Sequence, residues 1–405
     1  MNYKQILKEL YSLENIKFTQ TLVNMSLLLR KLDNPHNKLK YIHVAGTNGK
    51  GSVCAMISYI LINAGYKVGM YTSPHLKKFN ERIRINNKLI SDKDIVKYYL
   101  RIRNCKTKCT FFEITTAMAF LYFNDKKVDF VVLETGLGGR LDSTNVITPL
   151  ISIITNVAFE HTEYLGNKIE KIAYEKAGII KKKIPVVTAA EGIALATIKK
   201  ISNKENSKSI IINRNKIKIY CNKNSIRFDI DNHKNLKLKN LNGSFQIENA
   251  AIAVKAIEIL NNNKKIKINK TNIINGLKNA KWPGRFQFIR KNILIDCAHN
   301  PNSFKILFNE LKYIDYNKLI LVVGFSNDKD IRTISNIIKP LADKIIITKS
   351  NNERAFSPIT IKKYFNKNSI IIKNPKKALI YAKKVVTKND LILITGSIFL
   401  LGEII

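Results

Sequence analysis

Eight residues, Ala45-Gly46-Thr47-Asn48-Gly49-Lys50-Gly51-Ser52, join the apolar run Tyr41-Ile42-His43-Val44 to a helical pattern over Val53 to Asn63. A strand, a glycine-rich turn and a helix N-terminus in that order aim backbone N–H groups and a positive dipole end at one point, and Lys50 adds a mobile charge there. Three glycines with a lysine and a serine in so short a stretch exceed what turning the chain requires. The spacing narrows the class. In the general nucleotide loop four residues lie between the first glycine and the Gly-Lys pair, whereas here only Thr47 and Asn48 separate Gly46 from Gly49-Lys50, and Gly51 precedes Ser52. The stretch reads as a phosphate cradle, but not as that of a generic GTPase or helicase.

With 405 residues, the chain exceeds one comfortable core, and 45% hydrophobic residues suffice for two globular domains. Lys and Arg number 69 against 30 Asp and Glu, a formal charge of +39, which invites a nucleic-acid or membrane reading. The excess is mainly lysine, however, spread from end to end beside asparagine and isoleucine rather than gathered into a basic stripe with interleaved aromatics. A bias acting on every exposed position accounts for it, with some electrostatic attraction for polyanionic ligands. Neither nucleic acid nor membrane is expected as a partner. Cys54, Cys105, Cys109, Cys221 and Cys297 lack metal-ligand spacing and fit a reducing compartment. The N-terminus lacks the apolar core of a signal peptide, and no window is long and apolar enough to span a bilayer. A soluble, cytoplasmic, monomeric protein is the expectation.

The first 40 residues read as helices covering a sheet, with Asp33-Asn34-Pro35 as a stop. Lys67 to Thr72 reads as a strand ending at Ser73-Pro74-His75, where open α/β sheets place ligands. A helix follows from Ser91 to about Arg103, and a buried one from Phe111 to Phe123. Phe130-Val131-Val132-Leu133 is a continuous apolar strand of the kind parallel sheets bury on both faces. It ends at Glu134, and Thr135-Gly136-Leu137-Gly138-Gly139-Arg140-Leu141-Asp142 follows, so a carboxylate stands beside a loop that a ligand can approach closely. A magnesium ion on nucleotide phosphates needs such a hard oxygen ligand. The strand Leu150 to Asn156 leads to Glu160-His161-Thr162-Glu163, making His161 a candidate metal ligand at a strand end of the same sheet. A helical pattern covers Ile169 to Ile180. From the residues alone, Lys176 is merely a lysine near a helix end, where a cation suits the dipole.

Residues 183 to 240 hold the strand Ile184 to Thr188, a helix after Glu191, and runs around Ser209-Ile210-Ile211-Ile212 and Lys216 to Tyr220 that read as hairpins with one wet face. Gly243 to Asn249 opens a helix over Ala250 to Leu260. Trp282-Pro283-Gly284-Arg285 interrupts the pattern and marks a domain junction. Beyond it, apolar strands at Asn292–Ile295, Leu319–Val323, Lys344–Ile347 and Leu391–Ile394 alternate with helical patterns, the signature of a smaller Rossmann-like domain.

The ordered series HVAGTNGKGS (43–52), SPHL (73–76), NERI (80–83), LETGLGGRLDSTN (133–145), EHTEYLG (160–166), EKAGIIK (175–181), GSFQIENA (243–250), WPGR (282–285), DCAHNP (296–301) and SNDKD (326–330) resembles that of folylpolyglutamate synthases and dihydrofolate synthases, within the Mur ligase superfamily. The resemblance implies an α/β fold with a P-loop ATPase-like N-terminal domain of mainly parallel sheet (1–283) and a smaller Rossmann-like glutamate ligase domain (284–405). It implies ATP phosphates on Gly49, Lys50, Gly51 and Ser52, and Mg²⁺ at Ser73, Glu134 and His161. Lys176 would be carbamylated, becoming an anion near a metal. Asn249 would lie near the nucleotide, and Arg285, Asp296 and His299 would close over ATP. Lys50, Lys176 and His161 would carry the catalytic roles. Phe245 stands where that family is expected to have histidine, and Cys297 where glycine is common.

The activity implied is ATP-dependent addition of L-glutamate to dihydropteroate, to the γ-carboxyl of a reduced folate, or to both, through an acyl phosphate. A cell-wall Mur ligase and a basic nucleotide-binding protein acting on nucleic acid are the alternatives; SPHL and DCAHNP count against the first. The pterin is expected to involve the N-terminal segment around Phe18 to Asn24.

Overall fold

The computed structural model describes residues 1–13, 21–222, 225–365 and 369–405. Phe18, Thr19 and Gln20 of the expected pterin-binding segment lie outside the described residues. The chain divides into two compact units. The first comprises Met1–Ala158, Thr162–Lys239 and Ile247–Ala280; the second comprises Lys281–Ile405 with the short stretches Phe159–His161 and Asn240–Gln246.

The first unit begins with α1 (Tyr3–Ser12) and α2 (Val23–Lys31), followed by β1 (Tyr41–Ala45), α3 (Lys50–Asn63), β2 (Val68–Tyr71), and the ribbon β3 (Ile83–Ile85) and β4 (Lys88–Leu89). Next come α4 (Asp92–Asn104), α5 (Phe111–Asp125), β5 (Phe130–Glu134), β6 (Ile151–Ile154), α6 (Thr162–Leu165), α7 (Ile169–Ala177), β7 (Val186–Thr188), α8 (Gly192–Lys204) and β8 (Ser209–Ile211). The unit closes with β9 (Ile217–Asn222), β10 (Ser225–Ile230), β11 (His233–Lys237), α9 (Phe245–Asn262), whose first two residues belong to the second unit, and α10 (Lys270–Asn279). Helix starts follow local chemistry: Ser91 accepts from Asp94 N to cap α4, and Thr110 and Glu113 form a reciprocal capping box on α5.

Eight strands form one sheet in the order β4-β3-β2-β5-β1-β6-β7-β8, parallel from β2 to β8. The adjacent parallel strands β2, β5, β1 and β6 therefore end at the same edge of the sheet. They deliver Ser73, Glu134, the loop from Gly46 to Ser52 and the stretch from Thr155 to Ala158 there. β1 and β5 are buried along their whole length, as strands covered on both faces must be. A core of α1, α2, α4 and α5 packs Tyr41, Tyr71, Phe79, Tyr98, Phe120 and Phe123 against one face.

Two expectations are corrected. Ser209–Ile211 does not form a hairpin; it pairs in parallel with β7, Val187 opposite Ile210, as the edge strand of the large sheet. A three-residue apolar run carries the same pattern in either setting. The helix expected over Ile169 to Ile180 ends at Ala177, capped by Gly178, because Asn145 Nδ2 takes the Gly178 carbonyl at 3.0 Å and Ser152 takes that of Ile179 at 2.8 Å. The hairpin at Lys216–Tyr220 extends to a three-stranded antiparallel sheet, β11-β10-β9, with Phe228, Ile230 and Leu236 buried.

In the second unit β12 (Gln287–Arg290), β13 (Ile293–Ile295), α11 (Pro301–Leu311), β14 (Leu319–Val323), α12 (Ile331–Ile338), β15 (Lys344–Ile347), α13 (Pro358–Lys362), β16 (Ser369–Ile371), α14 (Pro375–Val385), β17 (Leu391–Thr395) and α15 (Ile398–Ile404) follow in turn. They build a six-stranded sheet ordered β12-β13-β17-β14-β15-β16, antiparallel only at β12. β12 and β16 are absent from the pattern read off the sequence: both are edge strands with exposed or half-buried positions, where apolar periodicity is weakest.

Gly69 in β2 faces the Phe123 ring, and a Cβ there would lie 2.8 Å from it. Gly69→Ala should therefore lower stability by about 1–3 kcal/mol through overpacking, read as a fall in the urea midpoint with unchanged m-value.

Candidate active site

The loop after β1 is held from several sides. Gly46 and Gly49 take φ values of 147° and 83°, and a Cβ on either would run into Thr155 Oγ1 or Asn249 Oδ1 respectively. Thr155 Oγ1 donates to the Asn48 carbonyl at 2.6 Å, and Asn156 receives both Thr47 N, on its carbonyl at 2.9 Å, and Asn48 N, on Oδ1 at 2.9 Å. Gly49 is the N-cap of α3, and Val53 N makes the first helical bond to its carbonyl at 2.9 Å. The amides of Lys50, Gly51 and Ser52 thus lack intrahelical acceptors and sit at the positive end of the helix. Lys50 Nζ turns back to donate to the carbonyls of Gly46, at 3.1 Å, and Thr47, at 3.2 Å. Buried Lys176, in the last turn of α7, donates to the same Gly46 carbonyl at 2.8 Å.

Glu134 ends β5 directly beside β1, opposite Val44, and its buried carboxylate accepts from Ser73 N at 3.2 Å. Cys54, buried on α3, has its thiol pushed up first by burial and then by Glu134, with Lys50 opposing. The carboxylate and the loop lysine therefore act on one neighbourhood. The loop after Glu134 is organised by Asp142, which the sequence reading did not single out. Its buried carboxylate accepts from Gly136 N and Leu137 N, each at 2.8 Å, and from Thr144 N at 3.0 Å and Thr144 Oγ1 at 2.5 Å. The signal was present in Asp142-Ser143-Thr144, since an aspartate bonding the amide two residues on is an Asx turn. Gly139 packs a backbone-only surface against the end of α7, where a Cβ would meet the Lys176 carbonyl at 2.8 Å.

The remaining candidates fall in the second unit. His161, with φ 51°, has Nε2 3.8 Å from Glu160 Oε1 and Nδ1 4.0 Å from Asp328 Oδ2. Burial lowers its pKa to about 4, against the pull of Glu160, so the imidazole is neutral near pH 7 and able to ligate a metal. His299 Nδ1 donates to the Cys297 carbonyl at 2.8 Å, and its Nε2 lies 2.8 Å from Glu160 Oε1, so a proton is held between imidazole and carboxylate. Asp296 accepts from Phe286 N at 2.8 Å and Ala298 N at 2.7 Å, which ties the turn carrying Arg285 to the strand end carrying His299. Burial raises the Asp296 pKa and the Arg285 guanidinium opposes this. Cys297 is buried with its thiol pushed up to about 12, an inert filler. Phe245 packs edge-on against Phe286, ring centroids 6.2 Å apart.

The structure thus gathers Gly49, Lys50, Gly51, Ser52, Asn249 and Lys176 about one loop, and Ser73 with Glu134 at the adjoining strand ends. His161, His299, Asp296 and Arg285 are grouped separately in the second unit. Among the described residues no three His, Cys, Asp or Glu side chains form a metal cage.

His43, fully buried in β1, has its pKa lowered to about 3, by burial and then by Lys181. An unfolded histidine titrates near 6.5, so the unfolded chain binds a proton below that pH which the folded one refuses. This contribution to stability is complete above pH 6.5 and is lost as pH falls toward 3. At pH 5 the loss should be roughly 2 kcal/mol, seen as a fall in urea midpoint between pH 7 and 5 that His43→Gln reduces.

Comparison with known proteins covers nearly the whole chain. Residues 44–257 match the Mur ligase middle domain and residues 284–398 the Mur ligase glutamate ligase domain. The chain is 36% identical over 410 residues to a Bacillus subtilis dihydrofolate synthase/folylpolyglutamate synthase, covering 94% of this chain and 93% of that protein. It superposes on the crystal structure of a Thermotoga maritima folylpolyglutamate synthase with a TM-score of 0.83 at 37% identity, over 99% of this chain and 95% of that one. A bifunctional folylpolyglutamate synthase/dihydrofolate synthase from Yersinia pestis, solved with AMPPNP and a manganese ion, gives a TM-score of 0.89 at 27% identity, over 99% and 97% of the two chains.

Proposed function

We propose that this chain, which belongs to the dihydrofolate synthase/folylpolyglutamate synthase family of Mur ligases, is an ATP-dependent ligase that joins L-glutamate to dihydropteroate and to the γ-carboxyl of a reduced folate. The observation that carries the reading is the loop from Gly46 to Ser52, where orphan helix amides and the ammonium groups of Lys50 and Lys176 converge beside the buried carboxylate of Glu134. A triphosphate suits this loop because its amides stand at the positive end of α3, in a backbone conformation that glycine at 46 and 49 permits by letting Thr155 and Asn249 pack directly against it.

In the proposed reaction the acceptor carboxylate attacks the γ-phosphorus of ATP, the bond to the β-phosphate oxygen breaks, and ADP leaves. The α-amine of glutamate then attacks the acyl phosphate carbon, the C–O bond to phosphate breaks, and phosphate departs with the amide formed. No nucleophilic serine or cysteine is required, so the protein's work is positioning and charge stabilisation. The amides of Lys50, Gly51 and Ser52 and the Lys50 ammonium hold the phosphates; Asn249, whose side chain packs against Gly49, lies near the nucleotide. Glu134, Ser73 and neutral His161 would hold Mg²⁺, which when bound neutralises phosphate charge. Arg285, Asp296 and His299 would meet the nucleotide from the C-terminal portion, 284–405, with 1–283 carrying the phosphate loop and the pterin region.

Lys176 as a carbamate belongs to the same reading. Its neutral amine adds carbon dioxide and releases a proton, which replaces the second ammonium at the Gly46 carbonyl with an anion beside Lys50 and the metal. A cytoplasmic monomer is part of the proposal; for the compartment, the free cysteines Cys54, Cys105, Cys109 and Cys297 fit a reducing environment. No helix among the described residues is long and apolar enough to cross a membrane.

The test is glutamate-dependent ADP release from MgATP, with dihydropteroate or tetrahydrofolate as acceptor. Turnover with both acceptors is expected; with one alone, the activity narrows to it; with neither, in the presence of bicarbonate, the folate assignment fails. Salt-sensitive binding to nucleic acid without ADP release would favour the basic nucleotide-binding alternative. Lys50→Ala should lower kcat by about 10²–10³ through lost charge stabilisation. Rigorous removal of carbon dioxide and bicarbonate should slow the wild-type enzyme reversibly and leave Lys176→Met, already slow, unaffected.

A further inference from the structure

His43 occupies a position in the middle of β1 where a parallel sheet normally holds an aliphatic side chain, and it carries a cost there. Its Nε2 lies 2.9 Å from Thr144 Oγ1, while Nδ1 is buried without a hydrogen-bond partner among the described residues. The proton positions follow from valence. Burial raises the Asp142 pKa, but the hydrogen bonds it accepts from Thr144 and from the amides of Leu137 and Gly136 oppose this and favour the carboxylate; with the single Thr144 hydroxyl proton then given to Asp142 Oδ1 at 2.5 Å, the hydroxyl oxygen can only accept, and His43 Nε2 carries the hydrogen. The chain of bonds runs from imidazole to hydroxyl to carboxylate and ends on the amides of Gly136 and Leu137. Those are the second and third residues after Glu134. A strand position with no further duty would be better filled by valine or leucine, which leaves no polar atom unpaired.

We propose that His43 is a positioning residue: through Thr144 and Asp142 it fixes the turn that follows Glu134, and so couples the strand bearing the phosphate loop to the carboxylate that meets the metal. β1 and β5 already align Val44 with Glu134 through the sheet. The hydrogen-bond chain adds a second tie beyond the end of the ladder, where Thr135 N makes the last backbone bond, to the Val44 carbonyl at 2.9 Å. Without the imidazole, the Thr144 hydroxyl loses the donor that His43 supplies and can swing away from Asp142. The carboxylate then holds the two amides less firmly, while the hydrophobic packing of β1 is kept or improved.

The role of Glu134 invoked here rests on the ligase reading, so the first measurement does not use turnover. Amide hydrogen exchange at Gly136 and Leu137 is compared in the wild type and in His43→Leu, His43→Gln, Thr144→Val and Thr144→Ser, with Ile153 and Ile154 of β6 as internal controls. His43→Leu and Thr144→Val should speed exchange at Gly136 and Leu137 about tenfold and leave β6 unchanged. His43→Gln, whose amide N–H stands near the place of the imidazole Nε2, and Thr144→Ser should stay close to wild type. In the ligase assay the first two variants should raise the magnesium concentration for half-maximal turnover several-fold, with the double variant no worse than either single one. Unchanged exchange at Gly136 and Leu137, or a rise no larger than that in β6, overturns the proposal; should His43→Leu not fold, the Thr144→Val and Thr144→Ser pair decides it. Loosened amides in a chain without glutamate-dependent ADP release would sustain the tie and remove the ligase reading.

Discussion

The carbonyl oxygen of Gly46 is the point on which the first unit's site depends. Lys50 and Lys176 approach it from different elements, both within 3.1 Å, so the two nitrogens stand no more than about 6 Å apart. Two like charges at that separation repel by roughly 3 kcal/mol at an effective dielectric of 20, and the sheet and helices must hold them there. An arriving polyphosphate turns that repulsion into attraction. The same tension gives a physical motive for converting one of the pair to a carbamate.

The fold makes this concentration possible by geometry alone. Four neighbouring parallel strands, β2, β5, β1 and β6, end at one edge, and each sends a different chemical group into the same neighbourhood. Thr155 and Asn156, at the end of β6, act as a mould for the glycine loop; they hold it open in a conformation that Gly46 and Gly49 alone can adopt. Asp142 does the same for the loop after Glu134. Rigid side chains of one loop thus set the backbone of the next, which is the preorganisation that electrostatic stabilisation of phosphoryl transfer requires.

Much of this was legible in the residues, and for identifiable reasons. The runs at Tyr41–Val44, apolar but for His43, and at Phe130–Leu133 and Leu319–Val323 read as strands buried on both faces because each is short and rich in β-branched or aromatic residues, and the glycine spacing between Gly46 and Ser52 has few uses other than anion binding. What escaped was carried by tertiary pairing. Ser209–Ile211 joins the large sheet because β7 is available to it, β12 and β16 are edges with little apolar signal, and α7 stops early because Asn145 and Ser152 claim carbonyls beyond its end. His161 was read from its place after a strand; beside the adjacent Glu160, its surroundings include Asp328 and His299, which come from segments far along the chain. The hydrogen-bond chain from His43 to Asp142 spans some hundred residues of sequence, and no local pattern announces it.

The central claim is that a phosphate is transferred to an acceptor carboxylate at the Gly46–Ser52 loop and then displaced by an amine. The most direct measurement supplies the acceptor with both carboxylate oxygens labelled with oxygen-18 and follows the isotope during a glutamate-dependent reaction. Passage through an acyl phosphate requires one labelled oxygen in each phosphate released, because the C–O bond broken by the amine leaves the acceptor's oxygen on phosphorus. Phosphate free of label, formed alongside the amide product, would contradict the account.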